Sequence, residues 1–307
     1  MQVLEFDEIK PGQISQTALT IGAFDGVHLG HREIFRSLLV AAKQKKLAPL
    51  AITFQPLPRE VFGKPQGALA ILSFEERKRR IEACGIELLA VIRFTKELGK
   101  VSADDFMDEA RSKLDPKLMV IGHDFRFGKD KAAGEDWIRE YCGDHGIELK
   151  VVSAVVKDGE AVSSSRIRSL LKAGELEKVT GLLDAPYQLE GKVVSGRHRG
   201  KTMGFATANL VWKKELLIPT GIYAAWAGFD HERRPAAVNI GFSPTFGEKQ
   251  LGIEAHLLGY EGQLYGRKLR IALVKRLRGE IKFGSVAALV EQIGKDVAAT
   301  KKILGVK

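Results

Sequence analysis

Apolar positions in the first 160 residues fall in short unbroken runs separated by longer amphipathic stretches. The runs at 18–24, 48–54, 88–94, 118–122 and 149–156 read as strands buried on both faces. The stretches at 31–46, 73–84, 102–114 and 134–145 read as helices. The first helix gathers Ile34, Phe35, Leu38 and Ala42 on one side and ends in Lys43, Lys45 and Lys46, where the helix dipole favours cations. Alternation of this kind predicts a doubly wound α/β domain, a parallel sheet covered on both faces. After Asp184-Ala185-Pro186 the rhythm changes. Runs at 187–194, 208–212, 222–229, 236–240, 253–258 and 268–277 read as closely spaced strands between Gly/Pro turns, which predicts a small antiparallel barrel. A final helix begins at Ser285 and repeats Leu289, Ile293 and Val297 on one face.

The chain has 307 residues, beyond the size at which one core keeps growing, so two domains are expected, 1–184 and 185–307. Its longest apolar runs, such as 38–42 and 88–92, fall far short of the ~20 residues of a membrane span. No signal peptide is visible at the N-terminus, and Cys84 and Cys142 are too few for a disulfide framework, so a cytoplasmic protein is expected. The net charge of +10 fits either nucleic acid or anionic nucleotides as partners. The densest basic cluster, Arg77-Lys78-Arg79-Arg80, lacks interleaved aromatics for base stacking and reads as a solvated helix face.

The stretch 21–31 carries the most chemistry. An apolar strand leads through Gly22, Phe24, Asp25 and Gly26 to a helix that starts between His28 and His31. Free N–H groups at a helix start attract phosphate, and flanking imidazoles add hydrogen bonds as charge builds on phosphorus. The plain alternative is one histidine capping the helix and the other packed on the sheet. A metal is not expected here, because no third His or Cys ligand stands nearby. In doubly wound sheets ligands bind beyond the carboxyl ends of the strands. The same cleft should therefore receive Asp124 and Phe127 after the fourth strand, and Ser163 and Ser164 with Arg168 after the fifth. The serines suit helix capping and polyphosphate binding alike.

Together these residues resemble the bacterial bifunctional riboflavin kinase/FMN adenylyltransferases, also called FAD synthetases. The resemblance covers nearly the whole chain. In the first half it rests on Gly22-x-Phe24-Asp25-Gly26-Val27-His28-Leu29-Gly30-His31, Asp124-Phe125-Arg126-Phe127-Gly128 and Ser163-Ser164-Ser165-Arg166-Ile167-Arg168. The second half adds Gly204-Phe205-Ala206-Thr207-Ala208-Asn209, Asn239-Ile240-Gly241 with Pro244-Thr245-Phe246, and Glu254-Ala255-His256. It implies a nucleotidyltransferase-type Rossmann-like domain followed by a six-stranded riboflavin kinase-like barrel with a C-terminal helix. The barrel would pass the γ-phosphoryl of ATP to riboflavin, and the α/β domain would adenylylate the FMN formed, releasing pyrophosphate.

The resemblance further assigns His28 and His31 to the α-phosphate, and Ser163, Ser164 and Arg168 to the leaving pyrophosphate. It assigns Phe62, Asp124 and Phe127 to the flavin, Glu254 as kinase base, and Thr207 and Asn209 as magnesium ligands. Gly196, Lys201 and Gly204 belong to a glycine-rich flap over ATP. Without it, Thr207, Asn209 and Glu254 read as ordinary polar strand residues, and Phe62 and Phe127 as core. The chain departs from the family at Gln55 and Leu57, where an aspartate and a histidine are usual, at Ala206 for proline and at Gly259 for aspartate. Two alternatives stand beside the bifunctional reading: only one active centre, or a basic nucleic-acid-binding protein on the same scaffold. The expected partners are ATP, riboflavin and FMN, with neither nucleic acid nor membrane, in a monomer or weak homo-oligomer.

Overall fold

The computed structural model describes residues 1–63, 69–129, 132–194, 207–210, 212, 216–242 and 251–306. Contacts divide the chain into two units, Met1–Ser164 and Ser165–Lys307. The change of sequence rhythm at Asp184 lies within the second unit.

The first unit runs β1 (Gln2–Glu5), β2 (Thr17–Ile21), α1 (Leu29–Lys45), β3 (Ala48–Phe54), α2 (Pro58–Phe62), α3 (Phe74–Ala83), β4 (Leu88–Ile92), α4 (Ala103–Leu114), β5 (Pro116–Gly122), α5 (Glu135–Asp144) and β6 (Glu148–Val152). A short hairpin, β7 (Val156–Lys157) and β8 (Glu160–Ala161), follows. Six strands pair in parallel in the order β1-β4-β3-β2-β5-β6. All five residues of β2 are buried, as a strand covered on both faces requires. From β2 the sheet grows through β3 and β4 on one side and then jumps to β5 and β6 on the other. The topological switch therefore lies between β2 and β5, and the crevice beyond their carboxyl ends is the ligand position of such folds.

Local rules account for the helices. α1 buries Phe35, Leu38, Ala41 and Ala42 and ends at Lys46 in a left-handed cap, with Lys43 and Lys45 in its last turn. Ser73 and Ser102 cap α3 and α4 by accepting from Glu76 N–H (3.2 Å) and Asp105 N–H (3.0 Å).

Three differences from the sequence expectation have physical causes. β1 was not expected: it is a four-residue, mostly exposed edge strand paired along β4, with no apolar run to mark it. The expected strand 18–24 stops at Ile21, because Phe24 turns to positive φ and leaves the extended region. The solvated basic face is also corrected, since Arg77 and Arg80 are only 1% and 5% exposed. The helix α3 has few apolar residues, so its inner stripe is completed by Glu76, Arg77 and Arg80 beside Ile81. There Arg80 Nε donates to Glu76 Oε1 at 2.7 Å.

The second unit takes up α6 (Ser164–Ala173) from Ser165 onward and continues with α7 (Leu176–Leu183). The strands β9 (Tyr187–Val194), β10 (Ala208–Leu210), β11 (Gly221–Phe229), β12 (Glu232–Phe242), β13 (Leu251–Leu257) and β14 (Lys268–Arg278) follow, and then α8 (Val286–Leu304). The strands close into a barrel in the order β10-β13-β12-β11-β14-β9. Leu189, Leu210, Tyr223, Val238, Ile253 and Ile271 are among its buried residues, and closure leaves no sheet edge.

The helix α8 is clamped to β14 by a bidentate pair. Arg278 Nε and Nη2 donate to Asp296 Oδ1 and Oδ2 at 3.0 and 2.6 Å, and Gln292 Nε2 adds a third bond to Oδ1 at 3.0 Å. Asp296 is 6% exposed. Its loss strands a largely buried guanidinium, so Asp296→Ala should cost about 3 kcal/mol. Urea unfolding should show the second unit's transition at lower denaturant and the first unit's unchanged.

Candidate active sites

Residues 22–28, between β2 and α1, form a strained loop at the switch point. Phe24 and Val27 hold φ at +45° and +47°, and Gly26 at +99°. Left-handed backbone at the two side-chain-bearing positions costs about 1–3 kcal/mol each, so the surroundings must over-determine it. They do. Gly22 N–H donates to Ile52 O (3.0 Å) and Val27 N–H to Phe24 O (3.1 Å). The Ala23 carbonyl accepts from Arg77 Nη1 (3.0 Å) and Thr53 Oγ1 (3.3 Å). Asp25 Oδ1 accepts Ile71 N–H (2.8 Å), and Asp25 O accepts the Ser164 hydroxyl (2.7 Å). Asp25 is thus buried and works as a brace within the loop. Gly22 is required for close approach, because a Cβ there would stand 2.9 Å from the Phe24 ring.

The loop delivers the histidine pair. His28 is the N-cap of α1, and its Nδ1 accepts from His31 N–H at 3.4 Å, which leaves the proton of a neutral imidazole on Nε2. The two rings stack with centroids 3.6 Å apart, and the Phe24 ring abuts His31 at 5.4 Å, near-perpendicular. Gly30 keeps the His28 ring close, since a Cβ there would sit 3.2 Å from it. Burial first, then the His28 ring and the Arg77 guanidinium, hold the His31 imidazole well below its usual range. His31 Nδ1 is buried with no hydrogen-bond partner among the described residues. The capping contact and the ring stacking therefore coexist in one pair of rings.

Other expected residues of this unit are placed as follows. Ser163 and Ser164 are half-buried, and Ser164 opens α6 with its hydroxyl proton committed to Asp25 O. Asp124 is exposed just after β5, with Oδ1 3.3 Å from where a Gly122 Cβ would be. Phe127 lies in an aromatic cluster with Phe106, Phe125 and Trp137, at centroid distances of 6.0, 5.2 and 5.3 Å. Phe62 is 58% exposed and meets Phe94 edge-on at 5.8 Å. Arg168 is buried on α6 and counts with the second unit.

In the barrel, strand register assembles the second group. Asn209 on β10 lies opposite Glu254 on β13, and Glu254 lies opposite Asn239 on β12. Their neighbours Leu210, Ile253, Ala255 and Ile240 are buried, so the polar three share the other face of the sheet. Thr207 stands two residues before Asn209, the spacing that returns an extended chain to the same face. Hydroxyl and amide oxygens are hard donors suited to Mg²⁺, which keeps several waters and shares phosphate oxygens. Among the described residues no cluster of three or more His, Cys, Asp or Glu could cage a metal. The donor set therefore fits an ion that arrives with a nucleotide. Gly196, Lys201 and Gly204 lie outside the described residues, as does 244–246.

Sequence reasoning missed Arg77 and Asn239 as members of these groups. The shortage of apolar residues on α3 signals the first. The second is visible only once β12 and β13 are in register.

Two family models match the chain: one described as FAD synthetase over residues 10–166, the other as riboflavin kinase over 183–304. A Bacillus subtilis protein named bifunctional riboflavin kinase/FMN adenylyltransferase is 34% identical over 288 residues, covering 92% of this chain and 90% of the relative. An Escherichia coli protein of the same name is 30% identical over 289 residues, covering 94% and 92%. A solved Streptococcus pneumoniae chain described as a macrolide-efflux protein superimposes with a TM-score of 0.87 at 28% identity, covering 98% of each chain. No helix among the described residues is long and apolar enough to cross a membrane.

Gly22→Ala should force the Phe24 ring off His31 and destabilise the first unit by about 1–3 kcal/mol, read as a lower urea midpoint for that unit alone. The depressed His31 titration also has a sign. The unfolded chain binds the proton more readily, so stability is complete above a pH of about 6.5 and falls as pH drops through the folded value. Urea midpoints at pH 7.5 should exceed those at 5.5, and His31→Gln should remove part of that difference.

Proposed function

The chain belongs to the bifunctional riboflavin kinase/FMN adenylyltransferase family, and we propose that its two chemistries are carried by the two sites described above. The observation that supports this reading is that each family model falls on a stretch with its own polar group, the stacked histidines at the start of α1 in one and Asn209, Glu254 and Asn239 in register in the other. The models leave residues 167–182 between them, and we place the boundary between the two chemistries at residue 184.

In the first site ATP lies over the start of α1, with Gly22 and Gly26 allowing the backbone close and Phe24 and Asp25 shaping the loop from below. The FMN phosphate is anionic at neutral pH, so alignment and charge stabilisation suffice without a general base. One of its oxygens attacks the α-phosphorus, the bond to the β-phosphate oxygen breaks, and pyrophosphate leaves. The imidazoles of His28 and His31 donate to the α-phosphate oxygens as charge builds. Ser163 and the amide of Ser164 hold the pyrophosphate, with Arg168 as a further anion partner. Asp124, Phe62 and Phe127 are assigned to the flavin, with Phe62 more open than Phe127.

In the barrel Glu254 takes the proton of the ribityl 5′-hydroxyl as that oxygen attacks the γ-phosphorus, and ADP leaves with the bridging oxygen. Thr207 and Asn209 would hold Mg²⁺ beside it, and the ion supplies neutralisation of phosphate charge. Gly196, Lys201 and Gly204 are assigned to ATP. The two free thiols, Cys84 and Cys142, suit a reducing cytoplasm.

The test is product chromatography on purified protein given riboflavin, ATP and Mg²⁺, where FMN and then FAD should form. His31→Ala should cut FAD formation by about 100-fold and spare FMN formation. Glu254→Ala should abolish FMN formation and leave the conversion of added FMN to FAD. Loss of both reactions in either folded variant would overturn the division of labour.

A further inference from the structure

We propose that Arg77 is a positioning residue of the adenylyl-transfer centre: its guanidinium ties the loop after β2 to the end of β3 and thereby fixes the seat of the paired histidine rings. The proposal rests on the assignment of His28 and His31 to that centre.

Arg77 is an unusual occupant of its place. It is 1% exposed, yet all three of its hydrogen bonds go to neutral oxygens: Nη1 to Ala23 O (3.0 Å), and Nη2 to Phe54 O (2.6 Å) and Gln55 Oε1 (3.1 Å). Its Nε has no partner among the described residues. A charge buried this way costs far more than an apolar side chain of similar volume at the same helix position. Filling the core therefore does not explain it.

Its contacts do. Ala23 follows β2, and Phe54 and Gln55 close β3, so one rigid fork bridges the carboxyl ends of adjacent parallel strands beside the topological switch. Ala23 immediately precedes Phe24, whose strained backbone carries the ring that abuts His31. Without the fork, Ala23 O keeps only the longer Thr53 bond, and the loop loses its brace where the strain begins.

The charge contributes as well. Arg77 faces Asp25 from the loop and Glu60 from α2, which oppose the effect of burial on it, and its guanidinium settles at about 10, so it stays charged at neutral pH. It reaches His31 from α3 while His28 stacks on the same ring, and both disfavour a proton there. A neutral His31 imidazole is thus presented to the nucleotide.

The experiment uses the full chain with Arg77→Gln, which removes the charge, and Arg77→Lys, which keeps it and removes the fork. FAD formation from FMN and FMN formation from riboflavin are measured across pH, and His31 is titrated by imidazole nitrogen NMR. Both variants should lose kcat for FAD formation by about 10–100-fold, with KM for ATP changed less than about threefold. FMN formation should be unaltered. In Arg77→Gln the His31 midpoint and the acid limb of FAD formation should both move to higher pH, while in Arg77→Lys the midpoint should stay. Unchanged kcat in both variants would overturn the proposal. So would a loss shared equally by FMN formation with an unmoved His31 midpoint, the pattern of general destabilisation. If Arg77→Gln does not fold, the kcat of Arg77→Lys decides. The histidine assignment fails separately, if His31→Ala itself leaves FAD formation intact.

Discussion

The Ala23 carbonyl is the point on which the first site depends. It lies just beyond the last residue of β2, and two side chains from different elements, Thr53 on β3 and Arg77 on α3, donate to it. Those bonds fix the path of a loop that then passes through left-handed backbone at Phe24 and Val27. Only because that path is fixed does α1 start with His28 as its cap and His31 stacked against it. Sheet topology chooses the place, and a few hydrogen bonds at one carbonyl set the angle at which the helix start is offered to a ligand.

The second site is built by another principle. No helix start or strained loop is needed, because antiparallel register alone brings Asn209, Glu254 and Asn239 side by side on three adjacent strands. Barrel closure makes that register rigid, since a slip by one residue would turn every side chain to the opposite face. The two groups of polar side chains are thus assembled by the two geometries that parallel and antiparallel sheets provide.

Much of this was legible in the sequence because the relevant signals are local. Unbroken apolar runs marked β2 to β6, alternation and Gly/Pro turns marked the six barrel strands, and the closing helix showed a clear stripe. The histidine pair was legible for the same reason: strand, glycine turn and helix start lie within eleven residues, 21–31. What escaped notice depends on contacts between distant segments. β1 is stabilised by pairing with the distant β4 and by Leu4 packing on the core. Arg77 looked solvated because nothing near it in sequence shows that its oxygen partners come from Ala23, Phe54 and Gln55. The bond from the Ser164 hydroxyl to Asp25 O likewise joins segments far apart in sequence.

The central claim is that one chain holds two separate phosphate-transfer centres that act in sequence on one flavin. Incubation of riboflavin with ATP labelled at either the α- or the γ-phosphorus tests it most directly. The account predicts that FMN carries only the γ label and that FAD carries both. An α label in FMN, or its absence from FAD, would contradict it.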